Sequence, residues 1–133
     1  VTVVLDASAA VTLLSVPDGF AALGPDRFVA PALLWSEVTS VLHRAVTRSQ
    51  VSREFGRAAL DRLLTAPIGR VARDKLFLDA WTVAEALGWS KTYDAEYIAL
   101  ARLERCPLVT ADARQRRAAG RFVTVHGLDE LIT

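Results

Sequence analysis

Val3-Val4-Leu5-Asp6-Ala7-Ser8 near the start of the chain and Leu108-Val109-Thr110-Ala111-Asp112 near its end share one pattern. An apolar, strand-like run closes, and a carboxylate follows within one or two residues. Open α/β sheets place ligand-binding residues at the carboxyl ends of parallel strands, where a strand hands over to a helix. Two further acids sit on apolar helical stretches aimed at the same edge: Glu37 in Leu33-Leu34-Trp35-Ser36-Glu37-Val38, and Asp94 in Tyr93-Asp94-Ala95-Glu96-Tyr97. None of these four motifs contains a lysine, so the set reads as oxygen ligands for a hard divalent cation.

Working outward from the two strand ends, the remaining sequence alternates strands with helices. Thr2 to Leu5 reads as a buried strand and Ala7 to about Val16 as a short helix, closed by Pro17-Asp18-Gly19. A second short helix is expected from Gly19 to Leu23. Phe28 to Ala30 makes a brief strand halted by Pro31, a favoured first helical residue. The helix from there to about Arg48 is the longest, with Leu34, Trp35, Val41, Leu42 and Ala45 within about 60° of Val38 on the helical period. Ser52 caps a helix to about Leu64. Ile68 to Ala72 is a strand, Asp74 to Leu87 a helix with Gly88 as its C-cap, and Asp94 to Arg105 another helix. Pro107 to Thr110, Ala111 to Ala119 and Phe122 to Val125 complete a strand, helix and strand before a short terminal helix. Such alternation predicts an α/β fold, a three-layer α/β/α sandwich around a central parallel sheet of four to five strands.

Composition narrows the function classes. At 133 residues, 52% hydrophobic and 23% charged, the chain is expected to form one globular domain spanning residues 1–133. No apolar run approaches the ~20 residues of a membrane span, so no membrane partner is expected. The opening run contains Asp6 and lacks a basic leader, which reads as a first strand rather than a signal peptide. A lone Cys106 in an apolar setting fits a reducing, cytoplasmic location and an inert thiol. Net charge is only +1, so any attraction for nucleic acid must be local.

Taken singly, each acid has a plain structural use. Asp6 and Asp94 read equally well as helix caps, Asp112 as the closure of a turn, and Glu37 as a solvated glutamate on the shoulder of an apolar stripe. Glu96 lies about 200° around the helix from Asp94 and is assigned to the solvated face. Taken together, the four have a stronger reading. Two carboxylates ~5 Å apart repel by roughly 3 kcal/mol at an effective dielectric of about 20. Converging acids therefore need protons or cations to neutralise them. Carboxylate-only ligation selects Mg²⁺ or Mn²⁺, whereas Zn²⁺ would call for His or Cys. His43 and His126 lack ligand spacing.

Asp6-x-Ser8, Trp35-Ser36-Glu37, Tyr93-Asp94-Ala95-x-Tyr97-x-Ala99-Leu100-Ala101 and Thr110-Ala111-Asp112, in that order, resemble the PIN-domain ribonucleases. The order and overall length resemble, more narrowly, the VapC toxins of type II toxin–antitoxin pairs. The resemblance covers essentially the whole chain. It implies a Mg²⁺-dependent (or Mn²⁺-dependent) endoribonuclease whose catalytic, metal-binding quartet is Asp6, Glu37, Asp94 and Asp112, supported by the hydroxyls of Ser8 and Thr110. It also implies an RNA substrate, a small cognate antitoxin as partner, and a homodimer. Many relatives carry a further acid after the last motif aspartate. This chain has Ala113-Arg114-Gln115-Arg116-Arg117 there, a departure that bears on any second metal.

Grip on an RNA backbone requires positive charge around this negative pit. Arg44 and Arg48 lie within about 20° of Glu37 on its helix, and Arg114, Arg116 and Arg117 follow Asp112. The same arginines also serve as an ordinary solvated surface. Trp35, Trp81 and Trp89 offer stacking faces, or else core packing. Apolar residues beyond one helical stripe, Leu33, Val46, Phe55 and Leu63, suit a groove for an antitoxin segment as well as mutual packing. Three other readings compete. A receiver-like phosphoacceptor domain would want paired acids after the first strand and a late Lys-Pro, where this chain has one acid and Cys106-Pro107. A haloacid-dehalogenase-type phosphatase would want Asp-x-Asp, where this chain has Asp6-Ala7-Ser8. A catalytically idle PIN scaffold binding RNA or protein would usually have lost one quartet acid.

Overall fold

The computed structural model describes residues 1–24 and 26–131. Five strands form one all-parallel sheet: β1 (Thr2–Leu5), β2 (Arg27–Pro31), β3 (Ile68–Val71), β4 (Leu108–Val109) and β5 (Val125–His126), in the spatial order β3-β2-β1-β4-β5. Six helices connect them: α1 (Ala7–Leu14), α2 (Leu33–Thr47), α3 (Arg53–Thr65), α4 (Asp74–Leu87), α5 (Tyr93–Glu104) and α6 (Ala113–Ala119). Helices α1, α2 and α3 pack on one another, α4 pairs with α5, and α5 lies across β1, β2 and β4. The result is the three-layer α/β/α sandwich expected from the alternation of elements.

The strand order sets the site. From β1 the chain steps outward through β2 to β3, then returns to the other side of β1 to lay down β4 and β5. The switch point therefore falls between β1 and β4, which pair through Val4 with Leu108 and Leu5 with Val109. Such a crevice at the strands' carboxyl ends is where open α/β sheets bind ligands. Asp6 follows β1, and Thr110 and Asp112 follow β4, so the two motifs that bracket the chain meet here.

Helix α5 explains how a third acid reaches the crevice. Its residues Tyr97, Ile98, Ala99, Leu100 and Ala101 are all buried, because the helix is covered by the sheet on one side and α4 on the other. Three small alanines, at 95, 99 and 101, allow that close approach without leaving a void. Gly88 takes a left-handed φ of 70° as the C-cap of α4, the turn that redirects the chain into α5.

Several boundaries differ from the sequence expectation. Pro31 is not the first helical residue but the last of β2, in register with Val71 of β3, and α2 begins two residues later. The segment Gly19 to Leu23 contributes only a 3₁₀ turn at Ala21–Leu23. Strands β4 and β5 are two residues each, and α5 ends at Glu104, with Arg105 at φ 51°. The terminal helix is a 3₁₀ turn at Leu128–Glu130, and residues 132–133 lie outside the described region. Of the stripe assigned to α2, Leu34, Val38 and Leu42 are buried, Trp35 and Ala45 are partly covered, and Val41 is exposed. Among the described residues, no helix is long and apolar enough to cross a membrane.

Candidate active site

Asp6 is the centre of the crevice and is held on every side. Its Oδ1 accepts from the Ser8 hydroxyl at 2.7 Å and from the Ala9 backbone N–H at 2.9 Å, and its Oδ2 accepts from the Thr110 hydroxyl. Asp6 is thus the N-cap of α1 as well as a member of the acidic group, so the plain reading and the functional reading both describe it. Ser8 is tied in turn to the opposite strand end, and Thr110 to the turn that follows its own strand. The Ser8 hydroxyl accepts from the Ala111 N–H at 3.0 Å, and the Thr110 hydroxyl accepts from the Asp112 N–H at 3.0 Å. This lattice locks β1's end to β4's end and fixes the Asp6 carboxylate in one orientation. Burial pushes the Asp6 carboxyl above its ordinary range; the three hydrogen bonds pull it down and the nearby Asp112 charge raises it again.

Glu37 projects from α2 and is half-buried. Its Oε1 accepts from the hydroxyl of Tyr97 at 2.5 Å, and Tyr97 itself is 1% exposed. Burial raises the Glu37 carboxyl, the Tyr97 bond opposes the shift, and the Asp94 and Asp6 charges add to it. The Tyr97 phenol is driven far up, first by burial and then by Glu37, so it stays a donor at any physiological pH. Asp94 occupies the first turn of α5 but is not its cap, a position held by Thr92. Its carboxylate is therefore left for the crevice, with the Arg114 guanidinium 3.9 Å away. Asp112 caps α6, accepting from the Arg114 N–H at 2.9 Å.

The structure thus gathers Asp6, Glu37, Asp94 and Asp112 around one crevice, near enough for their charges to act on one another. As they stand, no three His, Cys, Asp or Glu side chains among the described residues form a ready-made metal cage. Asp112 is turned to its cap and Asp94 to Arg114. The donors are all carboxylate oxygens backed by hydroxyls, and two of the acids are raised by burial and by their acidic neighbours. That combination suits a hard divalent cation of the Mg²⁺ or Mn²⁺ type, which would relieve the repulsion.

Besides Tyr97, two residues have roles here that the sequence did not reveal. Glu96, assigned to the solvated face, is instead partly buried, and its carboxyl is raised by burial and by the neighbouring Glu37. The helical wheel of α5 alone places it opposite Asp94; the presence of Glu37 of α2 beside that first turn is a tertiary fact the wheel does not carry. Gln115 is 4% exposed, and its Nε2 donates to the Asp94 carbonyl at 3.0 Å, tying α6 to the start of α5. Its spacing of four from buried Ala119 was the available signal. Of the arginines, Arg44, Arg48 and Arg117 are exposed, Arg114 leans on Asp94, and Arg116 is paired with Glu130 at 2.7 Å. Lys91, Trp89 and Tyr93 border an open cleft of about 420 Å³ beside Glu37 and Asp94.

Comparison with known proteins agrees with this geometry. Residues 3–121 match the PIN domain family. The chain is 37% identical over 114 residues to VapC ribonuclease Mb0985 of Mycobacterium bovis, covering 84% of this chain and 87% of the relative. It is also 37% identical over 92 residues to ribonuclease VapC1 of Mycobacterium tuberculosis, covering 68% and 67%. Among solved structures, PAE2754 from Pyrobaculum aerophilum superposes with a TM-score of 0.80 at 20% identity, over 99% of this chain and 93% of that one. VapBC2 from Rickettsia felis, solved bound to a promoter DNA fragment, gives 0.66 at 12% identity over 96% and 98%. With the switch-point crevice and its four acids in the order the sequence motifs set, the chain belongs to the PIN-domain family, as a relative of the VapC ribonucleases.

Proposed function

We propose that the protein is a divalent-metal-dependent endoribonuclease, the toxin of a VapBC-type toxin–antitoxin pair acting in the cytoplasm. The observation that carries this reading is the buried Asp6 carboxylate, oriented by Ser8, Ala9 and Thr110 at the switch point and faced by Asp112, Asp94 and Glu37. So costly a concentration of negative charge has a use in handling cations and phosphodiesters. Named as VapC ribonucleases, the relatives at 37% identity support the same activity.

Asp6 and Asp112 would hold the principal Mg²⁺ or Mn²⁺, assisted by Asp94, with Glu37 orienting water or a second ion. A divalent ion at such a site acidifies a bound water and neutralises charge on the leaving oxygen. The chain's own part is positional. Thr110 and Ser8 fix the Asp6 carboxylate and offset part of the rise that burial imposes on it, while Tyr97 holds Glu37 by one oxygen and leaves the other free for solvent. Arg44, Arg48 and Arg117 stand exposed to meet the RNA backbone. Two surfaces support the partners. An apolar groove of about 360 Å³ between α2 and α3, with Leu42, Val46 and Leu60 on its walls and Arg53 and Arg57 at its rim, suits an antitoxin segment. Phe77, Leu78 and Trp81 stand exposed together on α4 and suit a homodimer contact.

The test is cleavage of a panel of cellular RNAs in Mg²⁺ or Mn²⁺, against chelator-treated protein and an Asp6→Asn variant. Asp6→Asn keeps its acceptor for Ala9 and Ser8, so the fold should survive while cleavage is lost. Full cleavage by chelated protein in excess EDTA removes the metal-dependent reading. Co-expression with the small protein encoded next to this chain tests the toxin assignment. Harmless expression alone, with no stable complex on size exclusion, removes the toxin reading and leaves a PIN nuclease.

A further inference from the structure

Beside the acids, the structure has an open cleft of about 420 Å³ whose walls differ in kind from the crevice itself. Glu37 and Asp94 form its inner edge, and Trp89, Lys91, Tyr93 and Arg114 form the rest. Trp89 is partly exposed and carries the Arg114 guanidinium 5.3 Å above its ring, within cation–π range. The same guanidinium reaches Asp94 at 3.9 Å, so Arg114 bridges the cleft wall and the acidic edge. Tyr93 is 55% exposed although it opens α5, a helix otherwise buried on its apolar side, and Lys91 is exposed two residues before it. Two aromatic faces and two cations around a recess, on the rim of a phosphodiester-cleaving site, are the parts of a single-stranded nucleic-acid pocket. Aromatics stack bases whatever their identity, and cations track the backbone. The volume lies at the small-ligand end of the range for binding clefts, about 300–1,000 Å³. It fits one splayed nucleotide rather than a helix, whose recognition extends over many base pairs.

Resting on the endoribonuclease reading, we propose that Tyr93, the Trp89–Arg114 pair and Lys91 form the subsite that grips the one nucleotide next to the scissile phosphate. The base lies against Tyr93 and the Trp89–Arg114 pair. Lys91 takes the adjoining phosphate, and Arg114 exchanges Asp94 for that phosphate as the strand enters. Trp35 does not share this role, because it lies outside the cleft.

The experiment measures binding rather than cleavage. Fluorescence anisotropy in EDTA and low salt follows a labelled single-stranded RNA octamer and the same sequence as a duplex. Wild type should bind the single strand more tightly than the duplex. Tyr93→Leu, at an exposed position that tolerates the change, should weaken single-strand binding roughly 5- to 100-fold, the worth of one stacked base. Lys91→Gln should weaken it and lower the salt dependence by about 0.7 in the log–log slope, one phosphate contact fewer. Lys75→Gln, an exposed lysine on α4 held by Asp79, should bind like wild type. Trp89→Leu, checked for folding by circular dichroism, should match Tyr93→Leu. Binding within twofold of wild type in both Tyr93→Leu and Lys91→Gln overturns the subsite, as does duplex binding equal to single-strand binding or no binding by wild type. Because no metal is present, these outcomes are independent of whether the protein cleaves RNA, which the Mg²⁺ assay decides separately.

Discussion

Tyr97→Phe removes a single oxygen from the interior and should report directly on the charge of Glu37. In the structure that oxygen donates to Glu37 Oε1 at 2.5 Å from a ring that is 1% exposed. A hydrogen bond to a charged partner contributes roughly 1.5–3 kcal/mol, a neutral one about 0.5–1.5. Glu37 is only half-buried, so water replaces part of the lost donor, and the expected destabilisation at neutral pH is about 1.5 kcal/mol. The pH dependence follows from the raised carboxyl. Because burial lifts Glu37 above its ordinary value of 4.5, its favourable contribution is complete below that value and is lost as pH rises through the folded-state pKa. Phenylalanine lifts the folded pKa further, so the substitution hurts most where Glu37 is ionised. Urea unfolding followed by circular dichroism in EDTA, at about pH 8 and about pH 4, measures the difference as a change in midpoint. Glu37→Gln, which keeps an acceptor for Tyr97 and loses the buried charge, should by itself be stabilising at the higher pH. In that background Tyr97→Phe should cost less, only a neutral bond. A penalty that is flat or grows toward acid, or that is the same with Gln at position 37, refutes the assignment of Tyr97 as the donor holding an ionised Glu37.

How far the site was legible in the sequence depended on whether each residue's setting was local. Asp6 and Asp112 were legible because an apolar strand ending in a carboxylate is a one-dimensional signal, and the parallel order of β1 and β4 brings the two ends together. A cap reading at Asp6 and a turn-closing reading at Asp112 competed with the acidic-site reading; in the structure both residues cap helices, and Asp6 also meets Thr110 with its second oxygen. Pro31 shows where local rules stop. Proline is suited both to ending a strand and to opening a helix, and the register of β2 with β3, set some 40 residues away, assigned it to the strand. Strands β4 and β5 are likewise shorter than the apolar runs that encode them, because only Leu108 and Val109 pair with β1 and only Val125 and His126 pair with β4. Tyr97 and Glu96 were visible as letters of a motif but not as groups around Glu37, because nothing within α5 states that a side chain from α2 comes to rest beside it. Gln115 was hidden in an arginine-rich run, although its four-residue spacing from Ala119 marks the buried face of α6.

Three further perturbations test other parts of the same construction. Thr110→Val removes the donor to Asp6 and the acceptor of the Asp112 N–H, one charged and one neutral bond, and should cost about 2–4 kcal/mol in urea unfolding. Thr110→Ser should recover most of that, and a valine variant as stable as wild type removes Thr110 from the lattice. Gly56→Ala places a Cβ 2.6 Å from Val46 Cγ2 where α3 crosses α2, and the stiff valine leaves little room, so a loss of about 1–3 kcal/mol is expected; an unchanged midpoint means the helices part freely. The last concerns the cation. Metal-free, the crevice keeps Asp6 and Glu37 under mutual and neighbouring repulsion, and an ion that binds only the folded state stabilises it by about 2.7 kcal/mol at a hundred times its Kd. Calorimetric melting of chelator-treated protein should therefore rise by several degrees as Mg²⁺ is added, while Asp94→Asn should start higher and rise less. The direction is diagnostic, because screening by salt acts on all surface charges and is reproduced by K⁺ at equal ionic strength, whereas a bound divalent ion is not. A melting temperature that ignores millimolar Mg²⁺ in both proteins, or that K⁺ raises equally, rules out a shared site for the four acids.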